Sequence, residues 1–133
     1  MRILVTGGAG FIGSHLLQHL VMRYPDYKIV CADSLTYAAD YALIADLEGY
    51  ANYTFIKLDI TELSAVKYLF KSHRFTHVIH LAAESHVDNS IKDPLAFAKT
   101  NVLGTLNLFE GARASNKNQA CFIIFLLMKF LVV

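Results

Sequence analysis

The chain has 133 residues, a formal net charge of +1 and a mean hydropathy of +0.40. This length suits a single domain, because a chain of about 150 residues buries roughly two-thirds of the surface that it exposes when unfolded. The near-zero charge, with Lys and Arg scattered along the chain, argues against general electrostatic attraction to a polyanion, so we expect no nucleic-acid partner and no membrane partner.

The first predicted element is a strand at 2–6, followed by a glycine-rich turn and a helix at 12–23. Gly7, Gly10 and Gly13 are spaced three residues apart in this turn. Glycines at this spacing let the main chain bend tightly and approach a pyrophosphate, which lies at the N-terminus of the helix. The order of strand, turn and helix therefore predicts a dinucleotide site.

The second predicted strand, at 28–32, is followed directly by Asp33, twenty positions after Gly13. A dinucleotide-binding fold places at this distance the carboxylate that accepts hydrogen bonds from the adenosine ribose. A carboxylate would repel a 2′-phosphate, so Asp33 favours NAD over NADP. The alternative is an aspartate that only begins a turn, and the spacing favours the ribose role.

The rest of the chain alternates between strands and helices. Further strands are predicted at 53–58 and 77–82 and helices at 63–72 and 95–114, and the region 37–49 is predicted to be helical as well. Short apolar strands separated by helices are typical of a parallel sheet that is covered on both faces. The sequence therefore predicts an α/β fold with a doubly wound parallel sheet, as in Rossmann-type NAD-binding domains.

Polar or small residues follow the third and fourth strands, where ligands of open α/β sheets bind. Asp59, next to Ile60, can accept a hydrogen bond from adenine or can cap the next helix, and the sequence does not separate these roles. After the fourth strand, Ala82 and Ala83 leave room for a cofactor along the main chain. His86 is the histidine whose neighbours indicate a site role.

The remaining histidines and the cysteines have simpler interpretations. His15 and His19 are four residues apart but have no carboxylate or thiol partners, so no metal site is predicted. His77 and His80 are interpreted as residues at the ends of the fourth strand. The two cysteines lie in apolar runs, which predicts buried thiols, and the N-terminus does not resemble a signal peptide, so a cytoplasmic protein is expected.

Four segments resemble the extended short-chain dehydrogenase/reductase superfamily of NAD-dependent epimerases and dehydratases. The runs TGGAGFIGS at 6–14 and TNVLGT at 100–105 are found widely in it. The runs DSLTYA at 33–38 and LAAESHVD at 81–88 narrow the resemblance to dTDP-glucose 4,6-dehydratases. The resemblance covers residues 1 to about 113, which correspond to the N-terminal part of such an enzyme.

The resemblance implies NAD as cofactor and, for the intact enzyme, conversion of dTDP-glucose to dTDP-4-keto-6-deoxyglucose and water. It also implies homodimers in the family, without predicting the oligomeric state of this chain. Ser85 is the residue implied to reach the sugar nucleotide as well as the cofactor. The predicted cofactor-binding residues are Gly7, Gly10, Phe11, Ile12, Gly13, Asp33, Ser34, Leu35, Thr36, Asp59, Ile60, Leu81, Ala82, Ala83, Glu84, Ser85 and Thr100.

Two positions depart from the pattern of the family. Ala39-Asp40 stands where the family usually has Gly-Asn, and Asn89 stands where Arg is common. Neither position is a predicted cofactor contact, so we expect no loss of cofactor binding from them.

Of the catalytic segments of the family, the Thr-Asp-Glu run has no match, and the Tyr-x-x-x-Lys pattern has two matches, neither of them on a helix. Tyr24 and Lys28 have the spacing but straddle Pro25. Tyr53 and Lys57 lie along a strand, where four residues span about 13 Å instead of one helical turn. We therefore predict no catalytic residue and almost no activity for this chain alone.

The last residues are apolar where the family has polar catalytic residues. Residues 1–120 are predicted to form an incomplete NAD-binding domain, and 121–133 a fifth strand that runs into an aberrant tail, without a substrate domain. The codons TCT ACT GAT GAA GTT TTT GGT G encode Ser-Thr-Asp-Glu-Val-Phe-Gly, and loss of the first T yields the sequence of 126–132. The hypothesis is a lost nucleotide, which sequencing of the source DNA tests. A membrane anchor is disfavoured, because the apolar run is too short to span a bilayer.

Three functions remain open from the sequence. The chain is an inactive N-terminal part of a dTDP-glucose 4,6-dehydratase, a fragment of another nucleotide-sugar epimerase or dehydratase, or an NAD-binding module without enzymatic activity. The segment at 85–88 favours the first over the second.

Overall fold

The computed structural model describes residues 1–115 and 121–124. The strands are β1 (Arg2–Thr6), β2 (Lys28–Asp33), β3 (Tyr53–Lys57), β4 (His77–His80) and β5 (Cys121–Ile124). The α-helices are α1 (Phe11–Arg23), α2 (Leu63–His73), α3 (Val87–Lys92), α4 (Pro94–Ala98) and α5 (Thr105–Ser115). Two 3₁₀ turns, Tyr41–Leu43 and Ala45–Gly49, lie between β2 and β3, and a π-helical segment, Lys99–Gly104, joins α4 to α5.

The described strands form one parallel sheet in the order β3-β2-β1-β4-β5. β1 is central, and its residue Ile3 is in register with Ile29 of β2 on one side and His77 of β4 on the other. The chain first builds the sheet outward from β1 through β2 to β3 and then returns to the other side of β1. This reversal opens a crevice at the carboxyl ends of the strands, and it confirms the predicted doubly wound α/β fold.

Helices cover both faces of the sheet, because alternate strand residues point to opposite sides. On one face, Leu4 and Val78 of the sheet pack with Phe70 of α2 and Leu108 of α5. On the other face, Val5 and Cys31 pack with Leu17 of α1. Ile44, between the two 3₁₀ turns, and Leu47, in the second turn, belong to the same cluster. The two buried clusters hold the strand ends, and hence the crevice, in fixed positions.

Two predicted helices differ from the structure. The region 37–49 is not an α-helix but contains the two 3₁₀ turns. The buried residue Ile44 lies between the turns, and the buried Leu47 follows it by three positions, the spacing that places residues of a 3₁₀-helix on one side. The predicted helix at 95–114 is divided into α4, the π-helical segment and α5, and α3 precedes it. Asp93 accounts for the start of α4, since its side chain accepts a hydrogen bond from the Ala96 amide.

The fifth strand predicted at the start of 121–133 is present as β5. The expectations for residues 116–120 and for the tail at 125–133 lie outside the described residues. Within the described part of the chain, no helix combines the length and the apolar composition that crossing a membrane requires.

Candidate cofactor site

A cavity of about 380 Å³ lies at the carboxyl ends of β1, β2 and β4, next to the N-terminus of α1. It is lined by the glycine turn, by the loop after β2, by Asp59 and Ile60 after β3, by the segment after β4, and by Thr100. All of the predicted cofactor-binding residues except Leu35 line it. Residues from five separate parts of the chain therefore meet in one cavity.

The glycine turn has the main-chain geometry that a phosphate site needs. Gly7 has a φ of +73°, and a Cβ atom there would lie 2.5 Å from the main-chain nitrogen of Ala82. A Cβ atom at Gly13 would lie 2.2 Å from the Gly7 carbonyl oxygen, whereas at Gly10 the nearest atom is 3.4 Å away. Gly7 and Gly13 are thus required by the fold itself, and Gly10 leaves space beside the turn.

The N-terminus of α1 is open to the cavity. Gly10 provides no side-chain cap, and the first turn of α1 contains no acidic residue. Phe11 and Ile12, which begin the helix, are exposed. The free N–H groups and the positive end of the helix dipole therefore remain available to an anion.

Asp33 is 8% exposed and connects two parts of the cavity wall. One carboxylate oxygen accepts a hydrogen bond from the Ala9 amide at 2.9 Å, and the other accepts one from the Leu35 amide at 2.8 Å. Each oxygen keeps a further lone pair for a ligand hydroxyl. Leu35 itself does not line the cavity: its side chain packs against the α1 side of the core, and its amide binds Asp33.

Asp59 forms the turn that was one of its two expected roles, and its contact with adenine stays a prediction. One of its carboxylate oxygens accepts hydrogen bonds from the Thr61 amide at 2.9 Å and the Thr61 hydroxyl at 2.8 Å, which fixes the turn into α2. The residue is also exposed and lines the cavity. The turn role therefore leaves Asp59 at the cavity, where the second predicted role requires it.

The segment after β4 is held by a side chain of the π-helical segment. The Asn101 side chain accepts a hydrogen bond from the Glu84 amide at 2.9 Å and donates one to the Glu84 carbonyl oxygen at 3.1 Å. Glu84 in turn accepts a hydrogen bond from the Tyr37 hydroxyl at 2.8 Å. Tyr37 belongs to the loop after β2, so this bond joins two of the segments that form the cavity wall.

A family model described as GDP-mannose 4,6 dehydratase matches residues 4–126 of the chain. The chain belongs to this family. The resemblance to dTDP-glucose 4,6-dehydratases found in the sequence is confirmed by relatives of that name.

Relatives of this dehydratase-family chain support the assignment. The dTDP-glucose 4,6-dehydratase of Shigella flexneri is 47% identical over 113 residues, which are 85% of this chain and 31% of that protein. DesIV, a dTDP-glucose 4,6-dehydratase of Streptomyces venezuelae solved with NAD, has a TM-score of 0.78 at 39% identity, over 86% of this chain and 36% of DesIV. The UDP-Glc/GlcNAc 4-epimerase of Campylobacter jejuni has a TM-score of 0.81 at 32% identity, over 92% of this chain and 36% of the epimerase. The chain thus spans about a third of the length of these relatives.

Some residues of the dehydratase-family cavity were not in the predicted set. They are Ala32, Ala38, Ala39, Leu58 and His86. Two of them could be predicted from the sequence, because Ala32 and Leu58 directly precede the predicted residues Asp33 and Asp59 at strand ends. His86 was noted for its neighbours, and its ring packs edge-on against Tyr37 with 5.4 Å between the centroids.

The other candidate ligands are engaged elsewhere in the structure. His15 is exposed and donates from Nδ1 to the Phe11 carbonyl oxygen, while the His19 ring packs on Tyr24. Cys31 is buried, and burial raises the pKa of its thiol to about 12. Within residues 1–115 and 121–124, no group of three or more His, Cys, Asp or Glu side chains could hold a metal ion.

Replacement of Tyr37 with Phe is expected to speed NAD dissociation by about three- to tenfold. The variant keeps the ring contact with His86 but loses the hydrogen bond to Glu84 that joins the two segments. Stopped-flow displacement of NAD measures the rate. Tyr68→Phe is the control, because Tyr68 is exposed on α2 and does not line the cavity. Equal rates in all three proteins would show that the bond does not restrain the cofactor.

His80, at the end of β4, is 2% exposed and lies between two threonines. Its Nδ1 is 2.6 Å from Thr6 Oγ1 and its Nε2 is 2.9 Å from Thr105 Oγ1. Burial lowers the pKa of the imidazole from 6.5 to about 4, so His80 is neutral at neutral pH.

This pKa predicts a loss of stability in acid. Because the unfolded chain binds a proton that folded His80 does not, the free energy of unfolding should decrease as the pH falls from about 6.5 to about 4, by roughly 3 kcal/mol from this residue. Urea unfolding of the wild type and of His80→Asn across this range measures the effect. We expect a smaller slope against pH in the variant, and parallel curves would contradict the assignment.

Proposed function

We propose that this chain holds NAD in the cavity at the carboxyl ends of the strands, as the N-terminal cofactor-binding part of a dTDP-glucose 4,6-dehydratase. The observation that carries the proposal is the meeting of the glycine turn, Asp33 and the segment after β4 in one cavity. The presence of NAD in the related DesIV structure supports the choice of cofactor.

The residues fit the parts of a dinucleotide. The glycine turn and the open N-terminus of α1 suit a pyrophosphate, because both present main-chain N–H groups without a competing acidic side chain. The Asp33 carboxylate suits the two hydroxyls of an adenosine ribose and opposes a 2′-phosphate. Leu81 to Ser85, with Thr100, would line the nicotinamide half, and Ser85 would also meet the sugar nucleotide.

NAD, when bound, supplies reversible hydride transfer, and the described residues contribute binding and orientation. Neither Tyr-x-x-x-Lys pair is suited to proton transfer. Tyr53 is buried in β3, where burial raises its pKa, and Tyr24 stacks on Tyr27 at the end of α1 with 4.8 Å between the centroids. Neither pair lines the cavity. We therefore propose that this chain binds NAD without turning over a sugar nucleotide.

Two measurements on the full chain test the proposal. Calorimetry should show binding of NAD, and weaker binding of NADP because of Asp33. Incubation with NAD and dTDP-glucose should yield no keto-sugar. Absence of NAD binding would overturn the cofactor assignment, and formation of keto-sugar would overturn the proposed inactivity.

A second candidate is the cofactor-binding part of a nucleotide-sugar epimerase. The structural similarity to the Campylobacter jejuni epimerase favours it, but the identity to that protein is 32%, against 47% to the Shigella flexneri dehydratase. Binding of dTDP-glucose and UDP-glucose to the NAD-loaded chain, compared by calorimetry, would separate the two. Preference for the dTDP sugar supports the dehydratase, and preference for the UDP sugar supports the epimerase.

A further inference from the structure

We propose that His80 is a positioning residue of the NAD site. Fixed in one neutral tautomer, it connects the end of β1 to the start of α5 and thereby holds the main chain of Leu81 to Glu84 along the cavity. The proposal rests on the proposed function of the cavity. His80 does not line the cavity itself, so it acts through the groups that it holds.

The hydroxyl of Thr105 determines which ring nitrogen carries the hydrogen. Thr105 Oγ1 is 2.7 Å from the Asn101 carbonyl oxygen, and a carbonyl oxygen can only accept a hydrogen bond, so the hydroxyl donates to it. Towards His80, Thr105 Oγ1 can then only accept. In the 2.9 Å contact between them, His80 Nε2 therefore carries the hydrogen and donates it to Thr105 Oγ1.

The other ring nitrogen follows from this. A neutral imidazole with a hydrogen on Nε2 has none on Nδ1, so Nδ1 accepts. Thr6 Oγ1, at 2.6 Å, must donate to it. Once the Thr6 hydroxyl donates to His80, its oxygen is free to accept from the Ala82 amide at 3.4 Å. Each hydrogen bond in the chain of groups therefore has a defined donor: the Ala82 amide donates to Thr6, Thr6 to His80, His80 to Thr105, and Thr105 to the Asn101 carbonyl oxygen.

The network fixes the segment after β4 at two points. Ala82 is held through Thr6, and Glu84 is held through the two hydrogen bonds of the Asn101 side chain. Asn101 belongs to the π-helical segment, which also places Thr100 at the cavity. A π-helical turn inside a helix often marks a functional site. His80 lies between these two points. Through Thr6 and Thr105 it fixes the position of β1 relative to the π-helical segment.

A structural role alone predicts a different outcome from a positioning role. If His80 only satisfies buried polar groups, loss of a partner lowers stability and leaves the affinity of the folded protein for NAD unchanged. If it positions the cavity wall, the same change also weakens NAD binding, because the cofactor must then order the segment. Thr105→Ser keeps the hydroxyl but not the methyl group of Thr105. Normal NAD binding in this variant would show that the hydrogen bonds, and not the volume of the side chain, position the wall.

The experiment compares wild type, Thr105→Val, Thr105→Ser and the control Thr54→Val in the full chain. Thr54 is exposed on β3 and does not line the cavity. Calorimetry at a temperature where each protein is folded should show about tenfold weaker NAD binding for Thr105→Val only. Thr105→Ser and Thr54→Val should bind as the wild type does.

Nitrogen-15 NMR of the wild-type imidazole tests the tautomer without any ligand and without a variant that must fold. A hydrogen on Nε2 and an unprotonated Nδ1 at pH 7 are expected, and the reverse tautomer or a doubly protonated ring overturns the proposal. If the wild type binds NAD and Thr105→Val binds it equally, only the positioning role is overturned. If the wild type does not bind NAD, the proposed function fails, and the positioning role fails with it even where the tautomer is as expected.

Discussion

Replacement of Gly13 with Ala is expected to lower the free energy of unfolding by about 3 kcal/mol or to prevent folding. The new Cβ atom would lie 2.2 Å from the Gly7 carbonyl oxygen and 2.7 Å from Gly8 Cα. Both are main-chain atoms of the turn, so α1 would have to move away from β1. Urea unfolding followed by circular dichroism measures the loss, and NAD binding should be lost with it.

The matched variant Gly10→Ala separates folding from binding. Its Cβ atom would meet only the Gly7 carbonyl oxygen, at 3.4 Å, so we expect a change in stability of about 1 kcal/mol or less. NAD affinity should nevertheless fall about 100-fold, because the second glycine of such a turn lets the main chain approach the pyrophosphate. Gly49→Ala is the control, since its Cβ atom would point into open space. Wild-type affinity in Gly10→Ala would place the pyrophosphate elsewhere.

Replacement of Asp33 with Asn is expected to weaken NAD binding by about 10- to 100-fold. The carboxylate accepts from two main-chain amides, those of Ala9 and Leu35, and an Asn side chain has only one acceptor oxygen. Its amide group would therefore face an N–H donor, which should also lower the free energy of unfolding by about 1–3 kcal/mol. Calorimetry and urea unfolding measure the two effects.

The charge of Asp33 gives this variant a second readout. Because the carboxylate opposes a 2′-phosphate, we expect the preference for NAD over NADP to fall about tenfold in Asp33→Asn. Asp40→Asn is the control: Asp40 is exposed and its side chain accepts a hydrogen bond from the Ala42 amide in the first 3₁₀ turn. An unchanged preference in Asp33→Asn would remove Asp33 from the ribose site.

The sequence predicts the sheet and the cavity well because both depend on local patterns. β1 and β2 contain short apolar runs, and Gly7 and Gly13 stand where only glycine fits between a strand and a helix. Asp33 directly ends a strand, so its place at the sheet edge follows from the strand itself. A resemblance to a family then extended the predicted set to residues such as Thr100, which no local pattern identifies.

What the sequence does not predict depends on contacts between distant residues. The region 37–49 has a helical composition, but the Asp40 amide bonds to the Ala9 carbonyl oxygen, a tertiary contact that holds the start of the segment away from a regular helix. His80 has the same local setting as His77 at the other end of β4. The contacts of His80 with Thr6 and Thr105, 74 and 25 positions away, distinguish the two histidines, since the His77 ring bonds to the adjacent Thr76.

The central position of β1 also has a kinetic consequence. Its bond from Thr6 to His80 closes a loop of 74 residues, whereas β2 follows β1 after one helix. Closing a long loop costs chain entropy before any contact is gained, so docking of β4 on β1 should be a late event in folding. A third of the residues that line the cavity follow β4, and a ligand that requires them binds only molecules that have completed this step. NAD should then slow unfolding of the docked sheet while leaving the earlier association of β1 with β2 unaffected.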